Sequence, residues 1–199
     1  MTGCTEKEEV MAKIVERKFY LAEFKAISRA ISNYGDLTVL FNHILDGLHR
    51  TFSLKGCCIM LYDEREKQLF PVRNVGLSEA YTSKGPIFIK PEESAFFKKT
   101  PVFIEDMQTS ALVVYPDQAC REGIKSMLSV PIMYGDNALG LLRMYTAEVQ
   151  YFNEDDIDSI STLCLQLAVV LEKNGLENFL EGVKMAMGSI PPRLLKGLY

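Results

Sequence analysis

Side chains that can bind metals or act as nucleophiles are few in this sequence, and their spacing matches no common catalytic motif. The only histidines, His43 and His49, would lie about 120° apart around a helix axis, so they cannot share a metal ion. Cys57 and Cys58 are adjacent and would point to opposite faces of a strand. A CxxC spacing, a Ser/His/Asp set and a glycine-rich phosphate loop are all missing. These residues predict neither a metal site nor catalysis, and they identify no cofactor.

Cys120 is the thiol whose surroundings most favour reactivity. The charge of Arg121 would lower the pKa of an adjacent thiol and increase the fraction of nucleophilic thiolate. A redox-active thiol also needs a resolving partner, and residues 76–125 contain no second cysteine. Because free cysteines are often buried as small apolar side chains, the sequence favours a packing role, with thiol chemistry as the alternative.

The segment from residue 76 to residue 125 is the second candidate for function. It contains several prolines and glycines between short apolar pieces, and a long irregular segment of this kind usually frames a site. Its apolar and aromatic side chains occur beside a few polar ones, which is typical of a small-molecule pocket, although a solid core cover has the same composition. The predicted ligand-binding residues are Phe88, Phe97, Tyr115, Asp117, Cys120, Arg121, Met127 and Ser129.

Strands and short helices are predicted around this segment. Asp36 caps a helix at 37–52, whose apolar residues form one broad stripe. Two antiparallel hairpins are expected, and the second, with its turn at 135–137, should form the centre of the sheet. The predicted strands are 56–62, 68–75, 102–104, 126–134 and 138–145, and the short helices are 92–99 and 117–122.

Long amphipathic helices are predicted near both ends of the chain. Residues 6–34 contain no proline, and five of their apolar residues fall on one heptad seam: Val10, Ile14, Leu21, Phe24 and Ile31. A second helix is predicted at 154–180, with Asn153 as its cap and acids in its first turn. Asn174 and Gly175 are expected to weaken or bend it.

The order of these elements and two stretches of sequence together indicate a resemblance to a known family. The two stretches are Ser126-Met-Leu-Ser-Val-Pro-Ile-Met-Tyr-Gly-Asp-Asn-Ala-Leu-Gly-Leu-Leu-Arg-Met and Phe152-Asn-Glu-Asp-Asp. Over about residues 37–171 the sequence resembles a GAF domain. The resemblance implies an α+β fold with a six-stranded antiparallel sheet, terminal helices on one face and the irregular segment on the other. It divides the chain into an N-terminal helix at 1–34, a GAF domain at 35–173 and a helical extension and tail at 174–199.

Members of this family mostly bind a small ligand between the sheet and the irregular segment, and their terminal helices dimerise and transmit a signal. The resemblance therefore implies a sensing or regulatory module without catalysis. Its partners would be an unidentified small molecule, a second copy of the chain and a downstream signalling protein. The ligand is expected between residues 126–130 and 88–121. Because a fold does not specify its ligand, the identity of this molecule stays open.

Two ligand classes of the family fit the sequence poorly. Cyclic-nucleotide-binding members carry an Asn-Lys pair before a Phe-x-x-x-Asp-Glu sequence, whereas Tyr145-Thr146 and Ile157 occupy these places here. The Cys-His pair of bilin-binding members is missing.

Free methionine-R-sulfoxide reductases provide the alternative function, a thiol-dependent enzyme. Their catalytic cysteine has the same spacing from a strand proline as Cys120 has from Pro131. The flanking His and Asp of that family are replaced by Asp117 and Arg121, and Met127 stands where it has a Glu. A third hypothesis is a scaffold whose basic tail, 184–199, docks another protein.

Composition and charge limit the remaining classes of function and location. The 199 residues, 48% of them hydrophobic, suit one domain with helical extensions. A net charge of -4 offers no field that would attract nucleic acid or an anionic membrane. Five cysteines, two of them adjacent, indicate a reducing compartment rather than a disulfide framework. The polar N-terminus does not resemble a signal peptide, and the apolar stretch 163–171 is too short to cross a bilayer, so a soluble cytoplasmic protein is expected.

Overall fold

The computed structural model describes residues 16–33, 35–88 and 94–188, and its elements follow the predicted order. The helices are α1 (Leu21–Ser32), α2 (Leu37–Phe52), α3 (Glu79–Thr82), α4 (Ala95–Lys98), α5 (Pro116–Glu122) and α6 (Glu154–Gly188). The strands are β1 (Gly56–Asp63), β2 (Gln68–Val75), β3 (Ile87–Phe88), β4 (Val102–Ile104), β5 (Ser126–Tyr134) and β6 (Asn137–Thr146). Together they form the α+β architecture that the resemblance implied.

The strands form one six-stranded antiparallel sheet in the order β3-β2-β1-β6-β5-β4. Both predicted hairpins are confirmed, but only β6 of the second hairpin lies at the centre, beside β1. β5 lies one strand from the edge because β4 pairs with its outer side, Val102 opposite Ser129. At Gly140 in β6, a Cβ would lie 2.1 Å from the Met60 carbonyl oxygen, so the close approach of β1 requires glycine there.

The three longer helices cover one face of the sheet. Residues alternate across each strand, so Cys57 of β1 and Met144 of β6 face α1, α2 and α6, whereas Cys58 faces the other way, as the sequence predicted. This helix-covered face is filled with apolar side chains, and Leu45 of α2 and Ile160 of α6 are fully buried in it. The long helices and the irregular segment therefore lie on opposite faces.

The first helix is shorter than predicted. Within the expected 6–34 range, residues 16–20 are not helical, and α1 begins only at Leu21; residues 6–15 and 34 lie outside the described residues. The backbone N–H groups of Lys18 and Phe19 donate to the Asp156 carboxylate at 2.9 and 2.8 Å. Phe19 is fully buried, with its ring centroid 5.9 Å from that of Phe52. These long-range contacts hold the chain extended where the local pattern predicts helix.

The last helix is longer than predicted. Asn153 caps it as expected, since its Oδ1 accepts from the Asp155 N–H at 2.9 Å. The helix continues through Asn174 and Gly175 to Gly188, and the Asn174 side chain donates to the Val170 carbonyl at 3.0 Å. The 35 residues of α6 span about 52 Å at 1.5 Å per residue. The basic tail beyond residue 188 lies outside the described residues.

The irregular segment contains the short elements α3, β3, α4, β4 and α5. The predicted helix 92–99 begins at Ala95 within the described residues, and residues 92 and 93 lie outside them. The predicted strand 102–104 and the helical turn 117–122 are confirmed. In the described ranges, no helix is long and apolar enough to cross a membrane.

Candidate functional site

The candidate site lies on the sheet face opposite the long helices. This face is covered by residues 76–88 and 94–125, which we call the cover segment. From the sheet, Cys58, Tyr145 and Met127 contribute to a second apolar cluster, and Tyr81 and Ile87 contribute from the cover segment. The cluster is smaller than the core on the helix-covered face and leaves space unfilled.

A cavity of about 60 Å³ lies between the sheet and the cover segment. One water molecule needs about 10–15 Å³ on this scale, so the cavity has room for about four to six waters or a small organic molecule. The apolar and aromatic lining residues include Tyr81, Ile87, Phe88, Met107, Leu112, Tyr115 and Met127. The strongly polar ones are Lys84, Ser94 and Arg143.

Arg143 is a cation in the middle of the sheet. It lies on β6 between Cys58 of β1 and Ser129 of β5, with apolar neighbours along its own strand. Its Nε is buried and has no hydrogen-bond partner. The ion pairs of the described residues do not include Arg143. The guanidinium therefore reaches the cavity without a protein counterion from the described part of the chain.

Lys84 brings a second cation to the cavity. Its Nζ donates to the Tyr81 carbonyl at 2.8 Å and lies 3.5 Å from the centroid of the Tyr81 ring. Burial lowers the pKa of Lys84 to about 8 as the largest influence; Cys58 opposes it, the positive charge of Arg143 adds to it, and Glu122 opposes it. Near neutral pH this side chain is still mostly charged, at an energetic cost to the folded protein.

Ser94 provides a neutral donor at the same cavity. It occupies the N-cap position of α4, yet its side chain makes no capping hydrogen bond. Its Oγ is buried without a partner. Four buried side-chain N or O atoms in the described residues lack a partner, and two of them, Ser94 Oγ and Arg143 Nε, belong to cavity-lining residues. Because buried polar groups are almost always paired, these two atoms indicate a site that something else completes.

One wall of the cavity is fixed by a contact between two loops. The Tyr115 hydroxyl donates to the Pro86 carbonyl at 2.8 Å. The neighbouring Gly85 has φ +126°, and a Cβ there would lie 2.7 Å from the Tyr115 hydroxyl oxygen. Glycine is therefore required for this backbone conformation and for the approach of Tyr115.

The structure brings three of the eight predicted ligand-binding residues to the cavity: Phe88, Tyr115 and Met127. Ser129 is buried on the same sheet face beside Arg143, but outside the cavity lining. Phe97 is exposed on α4, where its neighbour Phe96 takes the buried position.

The other three predicted residues, Asp117, Cys120 and Arg121, are exposed on α5 and do not line the cavity. Ala119 is the residue that α5 buries against the second cluster. Because α5 packs through Ala119, its other sides carry Asp117, Cys120 and Arg121 into solvent.

Sequence reasoning missed Tyr81, Lys84, Ser94 and Arg143. A usable signal existed for Arg143, because strand alternation places it on the same face as Tyr145 and Leu141, where a lone charge is unusual. No comparable signal existed for the other three, whose positions depend on how the cover segment folds.

The remaining reactive side chains offer no second centre in the described residues. Burial raises the pKa values of the Cys57 and Cys58 thiols, and it raises that of Cys164 to about 12, so all three stay protonated near neutral pH. His43 is exposed and His49 is half-buried. In the described ranges, no group of three or more His, Cys, Asp or Glu residues is placed to hold a metal ion.

Comparisons with known proteins agree with this architecture. A family model described as the GAF domain matches residues 35–172. No sequence among curated proteins matches the chain. Many solved structures do, and three of them illustrate the range.

The GAF domain of an Acinetobacter phosphoenolpyruvate-protein phosphotransferase is 20% identical, with a TM-score of 0.65 and coverage of 79% of this chain and 96% of that one. The corresponding domain from Coxiella burnetii is 16% identical, with a TM-score of 0.71 and coverage of 79% and 95%. Free methionine-R-sulfoxide reductase from Neisseria meningitidis, solved with its substrate, is 16% identical, with a TM-score of 0.63 and the same coverage. At these identities the similarity shows the fold alone.

Proposed function

The chain belongs to the GAF domain family, and we propose that it is a non-catalytic sensing module that binds a small molecule in the cavity beneath the cover segment. GAF domains are in general sensing or regulatory modules. The observation that carries the proposal is a cavity with unpartnered polar atoms on two of its lining residues, since a module with no ligand would gain stability by filling it. Phe88, Tyr115 and Met127 are proposed to contact the ligand, together with Lys84 and Arg143.

A single strand provides the proposed route from the cavity to the long C-terminal helix. On β5, Met127 lines the cavity, whereas the next residue, Leu128, faces the opposite side of the sheet. There it belongs to the same apolar cluster as Ile160 and Leu163 of α6. A ligand that displaces Met127 would therefore shift the strand against which α6 packs. The size of the response is limited by the ligand's difference in affinity for the two helix positions.

We propose that α6 also assembles a homodimer. Its later part exposes apolar side chains that nothing in the described residues covers, and Leu176, Phe179 and Leu180 are each more than half exposed. Leu165 and Val169 continue an exposed apolar line toward the start of the helix. The steps from Leu165 to Val169, to Leu176 and to Phe179 follow a heptad pattern, which a second copy of α6 would bury.

Native mass spectrometry of the purified chain tests ligand binding. A bound mass is expected under native conditions that disappears when the chain is denatured. Val113→Phe should abolish it, because Val113 lines the cavity and the larger side chain takes up its volume. Val39→Phe, the same change at an exposed position on α2, should leave it unchanged. A protein without bound mass, or a mass retained by Val113→Phe, would contradict the proposal.

Light scattering of the full chain tests the dimer. The wild type is expected to be a dimer, and Leu176→Glu and Phe179→Glu should convert it to a monomer by placing charges in the apolar line. Asn178→Glu adds the same charge at an exposed position on a different side of α6 and should leave the dimer intact. A monomeric wild type would refute the homodimer.

The remaining parts of the proposal are a downstream signalling protein as partner and a cytoplasmic location. The division at residues 34 and 173 also stays a prediction. The thiol-enzyme alternative gains no support, because Cys120 is exposed and lies outside the cavity lining.

A further inference from the structure

Among the described residues that line the cavity, the two charged side chains, Lys84 and Arg143, are both positive. Neither forms an ion pair with an acid in the described residues. Each of these cations pays a desolvation cost that a nearby negative charge would offset. Electrostatics therefore favour a ligand that carries a negative charge.

The hydrogen-bonding atoms point to the same kind of ligand. Arg143 Nε carries a hydrogen and can only donate, and it has no acceptor. Ser94 Oγ can donate as well and is equally unpartnered. Lys84 Nζ uses one of its three donors on the Tyr81 carbonyl, which leaves two others. An anionic ligand with two oxygen acceptors would satisfy these donors, and charge-assisted hydrogen bonds of this kind are strong.

Size and lining distinguish between anions. A cavity of about 60 Å³ matches a small molecule in size. Apart from the three polar groups, the lining is largely apolar, with Ile87 and Met127 as examples. Inorganic phosphate has no apolar part to place against these side chains, so its charged oxygens would lie beside the apolar wall, which is unfavourable. A carboxylate with a short aliphatic body places its only two oxygens at the donors and its carbons against the apolar wall.

We propose that the ligand is a small organic carboxylate whose oxygens accept hydrogen bonds from Arg143 Nε and Ser94 Oγ, with Lys84 as the second positive charge. This assignment rests on the proposed function, since both need an accessible cavity. It adds a chemical class for the ligand and a role for three residues that the sequence did not single out.

Isothermal titration calorimetry of the full chain with sodium butyrate tests the assignment. Butyrate should bind saturably, one per chain. Butyramide, a neutral molecule of the same shape, should bind at least about ten-fold more weakly because it loses the charge-assisted bonds. Inorganic phosphate should also bind more weakly, and sodium chloride at matched ionic strength should give no saturable heat.

Variants assign the binding to the cavity. Arg143→Met should weaken butyrate binding by about ten- to hundred-fold, and Ser94→Ala by a smaller factor. Arg143→Lys keeps a positive charge and should retain part of the affinity, which leaves a readout if Arg143→Met does not fold. Arg73→Met is the matched control, because exposed Arg73 contacts Asn42 on α2 and does not line the cavity.

Failure of this assignment is distinguishable from failure of the proposed function. If butyramide or another neutral molecule binds in the cavity as tightly as butyrate, the carboxylate assignment is wrong and the sensing function stands. Phosphate binding that is tighter than butyrate binding would also overturn the carboxylate assignment alone. So would butyrate binding that Arg143→Met leaves unchanged. If no bound mass is found and none of these molecules binds, both proposals fail.

Discussion

On the sheet face covered by α1, α2 and α6, strand β6 contributes Leu142 and Met144, which are almost fully buried among apolar side chains. On the opposite face the same strand contributes Arg143, whose Nε has no partner and which lines a cavity. Neighbouring residues of β6 therefore contribute to two different environments, the apolar core and the cavity. The helix-covered face is filled with apolar side chains, whereas the opposite face leaves a cavity beside Arg143 and Ser94.

We infer from this difference that one face of the sheet mainly stabilises the fold and the other mainly binds a ligand. Long helices with continuous apolar stripes give the helix-covered face its close packing. The cover segment is built from short elements joined by loops, and it can adopt the concave shape that a small molecule needs. Equivalent substitutions on the two faces should therefore have unequal effects on the free energy of unfolding, and some on the cavity side should raise it.

Truncating one methionine on each face should give the largest contrast. Met144→Ala removes a fully buried side chain from the helix-covered face and should lower the free energy of unfolding by about 2–5 kcal/mol. Met127→Ala should cost about 1 kcal/mol, because Met127 already borders a cavity and loses fewer contacts. Chemical denaturation measures both. Equal losses would show that the two faces are packed alike.

Removing the Asp156 carboxylate should have the next largest effect, on the helix-covered face. Asp156→Ala leaves the backbone N–H groups of Lys18 and Phe19 without their acceptor and should cost about 2 kcal/mol. Asp155→Ala is the control, since Asp155 is largely exposed and only pairs with Arg17 at 3.4 Å. The two variants are compared by urea unfolding. A loss for Asp155→Ala as large as that for Asp156→Ala would argue against the extended N-terminal attachment.

Arg143→Met should change stability in the opposite direction. Replacing a half-buried cation whose Nε has no partner with an apolar side chain of similar length should raise the free energy of unfolding of the ligand-free protein by about 1 kcal/mol. Arg73→Met, at an exposed residue of β2 beside Asn42 of α2, should change it by less than about 0.5 kcal/mol. Thermal unfolding of the dialysed proteins provides the measurement. Destabilisation by Arg143→Met would mean that the guanidinium supports the fold of the free protein.

Lys84 should give the smallest effect, visible as a pH dependence. Burial lowers its pKa from 10.5 to about 8, so between these values the folded chain binds fewer protons than the unfolded chain. The contribution of Lys84 to stability therefore rises as the pH increases through 8. Burial raises the pKa of Cys58 from 9.0 and acts in the opposite sense at higher pH.

The comparison of wild type with Lys84→Met between about pH 7 and pH 9 isolates this contribution. Denaturation at several pH values should show the wild type gaining stability relative to the variant as the pH rises. A difference that does not vary with pH would place Lys84 in solvent.

Most of the fold could be predicted because its elements follow simple apolar patterns. The two hairpins contain short, mostly apolar runs separated by polar or glycine-containing turns, and the stripe of α2 ends at Phe52, where the helix also ends. The extended stretch at 16–20 could not be predicted. It depends on hydrogen bonds from the backbone N–H groups of Lys18 and Phe19 to Asp156, which is far away in the sequence. The helical spacing of apolar residues does not reveal that a distant carboxylate replaces the helical hydrogen bonds.

The candidate site was only partly predictable, for a different physical reason. Phe88, Tyr115 and Met127 could be predicted because large apolar side chains in and beside an irregular segment tend to be buried together against the sheet. Lys84 was not, because its position follows from the path of the loop that contains Gly85, whose positive φ is set by a tertiary contact.

The Nε–H resonance of Arg143 reports on the hydrogen bond that the cavity-lined face lacks. In a ¹H–¹⁵N NMR spectrum this signal can be assigned by its disappearance in Arg143→Lys. It should move saturably during titration with butyrate and move little with butyramide or sodium chloride, because only the carboxylate supplies the missing acceptor. An Nε–H signal that does not respond to butyrate, while butyrate binds elsewhere or not at all, would contradict the claim that the cavity-lined face is a site for small anions.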